Sequence, residues 1–212
     1  MKCFADRQEN TDISNYIYSD AAHAHTHAYL LPIVERALSD IRAKTVFDLG
    51  CGNGSVAEHL SKRFDVVGVD NSASGIGQAR SAFPQLRFEC RSVYDDLAGE
   101  FGQFDAVVSL EVVEHLFDPR SFARRMFDLV RSGGGIVIST PFHGYFKNLA
   151  LALTGKMDAH FTALWDGGHI KFWSECTLRI LLDEAGFADI RFDRVGRVSA
   201  LAKSMIAIAR RP

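Results

Sequence analysis

Residues 46–54 read VFDLGCGNG. An apolar run ends in three glycines at alternate positions, Gly50, Gly52 and Gly54. Glycines so placed let a backbone turn tightly and come close to a ligand. The surrounding chain alternates between two periods. TVFDLG (45–50), DVVGVD (65–70), LRFECR (86–91), FDAVVSL (104–110) and GGIVIST (134–140) read as buried strands. Helical stretches follow at Val56 to Arg63, Ala73 to Ala82 and Pro119 to Arg131. Such alternation predicts an α/β protein, a doubly wound parallel sheet with helices on both faces. Asp118 before Pro119 is a ready N-cap, and Gly133 to Gly135 are expected to stop that helix and turn the chain into strand five.

Beyond Thr140 the alternation breaks and resumes with a helix from about Ser174 to Ala185, ended by Gly186, then strands near 188–195 and 203–209. Ahead of strand one, residues 22–42 predict a helix with Leu30, Val34, Ala37 and Leu38 on one face, expected over the ligand edge of the sheet. The division is a single domain: a helical cap (1–43), a cofactor-binding core (44–140), a substrate-side insertion (141–173) and a closing helix with strands (174–212).

Composition narrows the class. The chain has 212 residues, 47% hydrophobic and 24% charged, which suits one packed domain. A net charge of −2 without long runs of one sign argues against an electrostatic grip on nucleic acid. Cys3, Cys51, Cys90 and Cys176 are scattered, against a disulfide frame or zinc site and in favour of a reducing cytoplasm. No apolar run reaches the ~20 residues that span a bilayer.

In an open parallel sheet, ligands bind beyond the carboxyl ends of the strands. A Walker loop needs Lys-Ser/Thr after its last glycine, and Ser55-Val56 stands there. A dinucleotide fingerprint is Gly-x-Gly-x-x-Gly, and this spacing is one residue shorter. Asp48, just before the glycines, would repel a pyrophosphate and suits a cationic amine. S-adenosylmethionine has an amine, a sulfonium and no phosphate. Asp70, ending strand two, can accept from both ribose hydroxyls, as acids do in NAD sites too.

These residues resemble the class I S-adenosylmethionine-dependent methyltransferases over roughly residues 40–210. VFDLGCGNG is similar to their first motif, VVGVD to the second, SLEVVEHLFDP to the fourth and LVRSGGGIVISTP to the fifth-strand signature. EVVEH, the insertion after STP, and GGHIKFWSECTLRILLDEAGF are most similar to the ubiquinone-biosynthesis O-methyltransferase branch and to related small-molecule methyltransferases. The resemblance implies a Rossmann-like seven-stranded sheet whose last strand is antiparallel. It implies that Asp48, Gly50, Cys51 and Gly52 hold the methionine end, Asp70 the ribose, with Asn71, Ser92 and Val93 about the adenine. Leu110 and Glu111 would lie beneath the sulfonium.

Methyl transfer needs alignment above all, and an oxygen nucleophile gains from losing its proton. Glu111, His143 and His169 are the candidate catalytic residues. Glu111, Glu114 and His115 are a sparse metal set, so activation without a metal is preferred. HAHTH places His23 and His27 four apart, read as a polar helix face. GYFKNLALALTGKM puts Phe146, Leu149 and Leu153 on one face with Lys147 and Lys156 beside it. Core packing across the mouth of the site is the preferred reading of that face. A lid, or a patch meeting a lipid-like acceptor at a membrane surface, is the alternative. Trp165, Phe172 and Trp173 are expected to give aromatic walls. The motifs of DNA-methylating relatives, Asn/Asp-Pro-Pro-aromatic or Pro-Cys after strand four, are absent from SLEVVEHL. The acceptor is therefore expected to be an oxygen of a small molecule, with N- or C-methylation or a non-catalytic binding module as alternatives.

Overall fold

The computed structural model describes residues 27–161, 164, 167–196 and 202–212. Seven strands form one sheet: β1 (Thr45–Leu49), β2 (Asp65–Asp70), β3 (Arg87–Cys90), β4 (Phe104–Leu110), β5 (Val130–Pro141), β6 (Ala188–Val195) and β7 (Ser204–Arg210). Their order is β3-β2-β1-β4-β5-β7-β6. The first five run parallel, while β7 is antiparallel to both β5 and β6. All seven residues of β4 are buried, as befits a central strand covered on both faces.

Period-two alternation splits the core. Phe47 and Leu49 of β1 face α4 (Leu97–Phe101), α5 (Pro119–Leu129) and α8 (Glu175–Ala185), where Phe122, Met126, Leu129, Leu178 and Leu182 are buried. Val46 faces the other side with α1 (His27–Ile41), α2 (Ser55–Ser61) and α3 (Ala73–Ala82). Leu30, Val34, Ala37 and Leu38 all lie in that second core. α1 therefore runs along a sheet face rather than over the ligand edge alone. Ile41 packs on Gly135 near the start of the parallel part of β5, and Tyr29 in the first turn meets Ser204, at the other end of the β5–β7 ladder. His23 lies outside the described residues, as does Trp165, and of His27 only the backbone is described.

Asp118 caps α5 by accepting from the Ser121 N–H at 3.0 Å, a contact worth about 1 kcal/mol. The helix stops at Leu129, two residues earlier than expected, and the glycines are not its stop signal. Val130 already pairs with Phe104, and the ladder then shifts so that Gly135 pairs with Ala106. Gly133 (φ 77°) turns the excursion between those pairs. At Gly134 a Cβ would come within 2.6 Å of the Asp105 carbonyl, so close backbone approach requires glycine there.

The insertion holds α6 (Tyr145–Leu153) and α7 (Met157–Phe161), with no buried residue in either. Leu153 is 79% and Phe146 62% exposed. The apolar face of α6 is thus turned outward, against the preferred expectation of core packing. Among the described residues no helix is long and apolar enough to cross a membrane.

Candidate active site

The carboxyl ends of β1 to β5 open on one edge, and the chain after each returns a different chemical group. After β1, Gly50, Gly52 and Gly54 all take left-handed φ of 87°, 53° and 80°. A Cβ on Gly50 would meet Val112 Cγ2 at 2.5 Å, so both conformation and space demand glycine there. The Gly50 and Cys51 N–H groups donate to the Val69 carbonyl at 2.8 and 2.9 Å. Gly52 N–H donates to Asp70 Oδ2 at 2.8 Å and Ser72 N–H to Asp70 Oδ1 at 2.7 Å. Asp70 therefore ties the glycine loop to the end of β2. Burial raises its carboxyl from the usual range, and the two amide donors oppose that.

Asp48 is 2% exposed, and its buried Oδ2 has no hydrogen-bond partner. Burial, reinforced by the neighbouring Asp70 charge, pushes its carboxyl up to about 7. Such a carboxylate is costly unless a cation or donor meets it. The cationic amine of S-adenosylmethionine answers that need. Asp70 keeps a second lone pair on each oxygen for ribose hydroxyls. The donor set thus fits this cofactor. The Cys51 thiol is pushed well up by burial and by Asp48 and Asp70, so it is no nucleophile.

Further along the edge, the turn after β3 is held by Ser92, whose N–H donates to Asp95 and whose hydroxyl accepts from Tyr94 N–H. Val93 sends its side chain into the core, so only its backbone is left to border a ligand. Asn71 is exposed. Leu110 ends β4 buried, and Glu111 follows with φ 57°, a costly conformation for a non-glycine residue. Ser139 holds it there, its hydroxyl donating to Glu111 Oε1 at 2.7 Å and its carbonyl accepting the Glu111 N–H.

The chain then makes a 3-10 turn, Val113–His115, which carries Glu114 inward to 1% exposure. Thr140 Oγ1 donates to its Oε2 at 3.0 Å, and Oε1 has no hydrogen-bond partner. Burial, then the Glu111 charge, pushes the Glu114 carboxyl well up. Residues 167–173 lie across this turn. Ile170 and Lys171 N–H groups donate to the Glu114 carbonyl, and Trp173 Nε1 donates to that of Val113. His115 Nδ1 is 2.8 Å from the Gly167 carbonyl. A carbonyl only accepts, so Nδ1 carries the hydrogen and Nε2 presents its lone pair. His169 Nε2 comes within 3.9 Å and His115 Nε2 within 4.0 Å of Glu114 Oε1.

Glu114, His115 and His169 thus form a potential metal-ligand group, with ligand atoms within 4.8 Å of one another. The third partner is His169, 54 residues downstream, rather than Glu111. No local spacing could reveal it. His169 also lines a cavity of about 100 Å³ with Pro141, His143, Lys147, His160, Phe161 and Phe172. His143 and His169, separate in sequence, therefore share one pocket. Burial lowers both imidazoles to about 4, so both are neutral near pH 7 and weaker bases than free histidine. Lys147 and His160 were not singled out as polar members of this pocket by the sequence. Lys147 stands in the sequence only as a charge beside the apolar face of residues 144–157, and His160 lies on α7, outside that stretch.

Comparison with known proteins places the chain in a family. Residues 22–191 match a family model described as a methyltransferase domain. The ubiquinone biosynthesis O-methyltransferase of Azorhizobium caulinodans is 33% identical over 160 residues, covering 72% of this chain and 62% of that protein. That of Ruegeria pomeroyi is 34% identical over 172 residues, covering 77% and 66%. The chain is thus matched to less than two thirds of the length of these relatives. In fold, it resembles magnesium protoporphyrin IX methyltransferase from Synechocystis with bound S-adenosylhomocysteine, at a TM-score of 0.64 and 18% identity, covering 92% of this chain and 91% of that one. The chain belongs to the S-adenosylmethionine-dependent methyltransferase family.

Proposed function

We propose that this protein transfers a methyl group from S-adenosylmethionine to an oxygen of a small hydroxylated molecule. The observation that carries the reading is the buried, unpartnered Asp48 carboxylate beside Asp70, on the sheet edge where the Glu114 group also lies. Asp48, Gly50, Cys51 and Gly52 would hold the methionine end, with Asp48 against the ammonium. Asp70 would accept from the ribose hydroxyls. Asn71, Ser92 and the Val93 backbone would border the adenine, and Leu110 and Glu111 the sulfonium end. The names of the relatives favour an oxygen acceptor.

Aligning the acceptor with the sulfonium methyl is the main task. His143 or His169 would accept the acceptor proton through a neutral ring nitrogen, while Glu111, fixed by Ser139, would orient the reacting end. A second activation route has its own support: the bare Glu114 Oε1 and the His115 tautomer suit a divalent cation at Glu114, His115 and His169. A cation bound there would lower the pKa of a coordinated hydroxyl. The outward apolar face of α6, with Lys156 beyond it, suits contact with a lipid-like acceptor or a membrane surface. Cys51, Cys90 and Cys176, unpaired among the described residues, fit a cytoplasmic setting. Turnover of labelled S-adenosylmethionine over a panel of phenols, amines and carboxylates tests the reading. Transfer to phenols is expected, and binding without transfer to any acceptor would refute it.

A further inference from the structure

The pocket between β5 and the insertion helices has one cationic wall and one aromatic wall. Lys147, half-buried on α6, forms the first. Its Nζ has three hydrogens, and among the described residues one is used, in a hydrogen bond to the Phe142 carbonyl at 3.3 Å. Among the described residues no carboxylate pairs with it. Burial lowers its ammonium below the ordinary range, the direction taken by a cation without a counter-anion. The aromatic lining is Phe161 and Phe172, edge to face at 5.0 Å, with the His143 ring 5.0 Å from Phe172. The His143 Nδ1 is buried and has no hydrogen-bond partner. Burial and the Lys147 charge push His143 and His160 down, so neither adds positive charge near pH 7.

We propose that Lys147 anchors a carboxylate of the methyl acceptor, which makes the substrate an aromatic hydroxy acid. The assignment rests on the methyl-transfer reading and narrows its acceptor. One ammonium balances one monoanion, whereas a phosphate dianion would leave a charge uncompensated in a half-buried site. A cavity of about 100 Å³ between aromatic walls suits a single ring. Lys147 is a specificity residue on this account, holding the carboxylate rather than the reacting oxygen.

Benzoate and its neutral isostere benzamide test this without turnover. Each is titrated by calorimetry into the full chain, and S-adenosylmethionine is titrated separately. Benzoate should bind about tenfold or more tighter than benzamide, the size expected of a charge-assisted hydrogen bond. Lys147→Gln should remove that preference and leave benzamide unchanged, while Lys147→Arg should keep most of it. Equal binding of the two probes by the native chain, or no binding of either, overturns the proposal. So does a preference that survives Lys147→Gln. If that variant does not fold, the native comparison decides alone. Donor binding without benzoate preference sinks the carboxylate anchor and leaves methyl transfer standing, and the reverse pattern sinks methyl transfer.

Discussion

Asp48→Asn separates ligand binding from folding in opposite directions. In the free protein, burial and Asp70 lift the Asp48 carboxyl from 3.8 to about 7. That rise corresponds to about 4 kcal/mol, an order-of-magnitude figure. A carboxyl raised in the folded state binds its proton more tightly there than in the unfolded chain. Its cost is absent below 3.8 and grows as pH rises to about 7. Asparagine carries no such cost. Urea melts should show the variant more stable than the native chain at about pH 8, by up to about 4 kcal/mol, with the gap narrowing toward about pH 5. Donor binding should move the other way. The ammonium should pull the Asp48 proton off, so native affinity should fall up to about tenfold per pH unit below pH 7. It should level off between about pH 7 and about pH 8, where the amine itself titrates. Asp48→Asn should lose about ten- to a hundredfold in affinity at about pH 7.5 and flatten the acid limb. Calorimetry in buffers of different ionisation enthalpy reads the released proton directly. A variant that binds as tightly as the native chain, with no proton release in either, would refute the pairing of Asp48 with the ligand amine.

Asp70→Ala removes the acceptor of the Gly52 and Ser72 N–H groups as well as the expected ribose contact. It should cost both donor affinity, by tenfold or more, and about 1–3 kcal/mol of stability, read by calorimetry and thermal melting. Glu114→Gln should greatly reduce turnover if a cation is held at Glu114, His115 and His169. Chelator should then abolish activity and added magnesium restore it, with donor affinity unchanged. With His143 lowered to about 4, a rate governed by this base should already be flat through about pH 6–7. A pH–rate profile rising there would assign the step to another group or to a pKa changed by substrate. Leu149→Asp, at a site 40% exposed, should leave the melting temperature within a few degrees and weaken binding to liposomes. A large loss of stability would show that the α6 face is packed in solution.

The strands and the glycine loop were legible because their signals are local. A period of two, a turn that only glycine can make, and an acid at a strand end all lie within a few residues. Asp118 with Pro119 announced α5 in the same way. The end of α5 was less readable, since the glycines there serve close approach to Asp105 rather than helix termination. The insertion was misread because Phe146, Leu149 and Leu153 mark an apolar face without saying what covers it. Glu114 and His115 were legible as part of a sparse metal set with Glu111, but that His169 takes the third place was not. His169 reaches it because residues 167–173 bond to the backbone of the Val113–His115 turn, a pairing across more than fifty residues that no spacing encodes. Lys147 gained meaning only once α6 was seen to turn it toward His143 and Phe172.

A crystal structure of the protein with S-adenosylhomocysteine tests the central claim most directly, because it places amine, ribose and sulfur on the sheet edge in one measurement. The account predicts the ligand amine within hydrogen-bond distance of Asp48, the ribose hydroxyls on Asp70, and the sulfur facing Glu111 and the pocket of His143 and His169. Ligand bound elsewhere, or bound there with its amine away from Asp48 and its ribose away from Asp70, would contradict it.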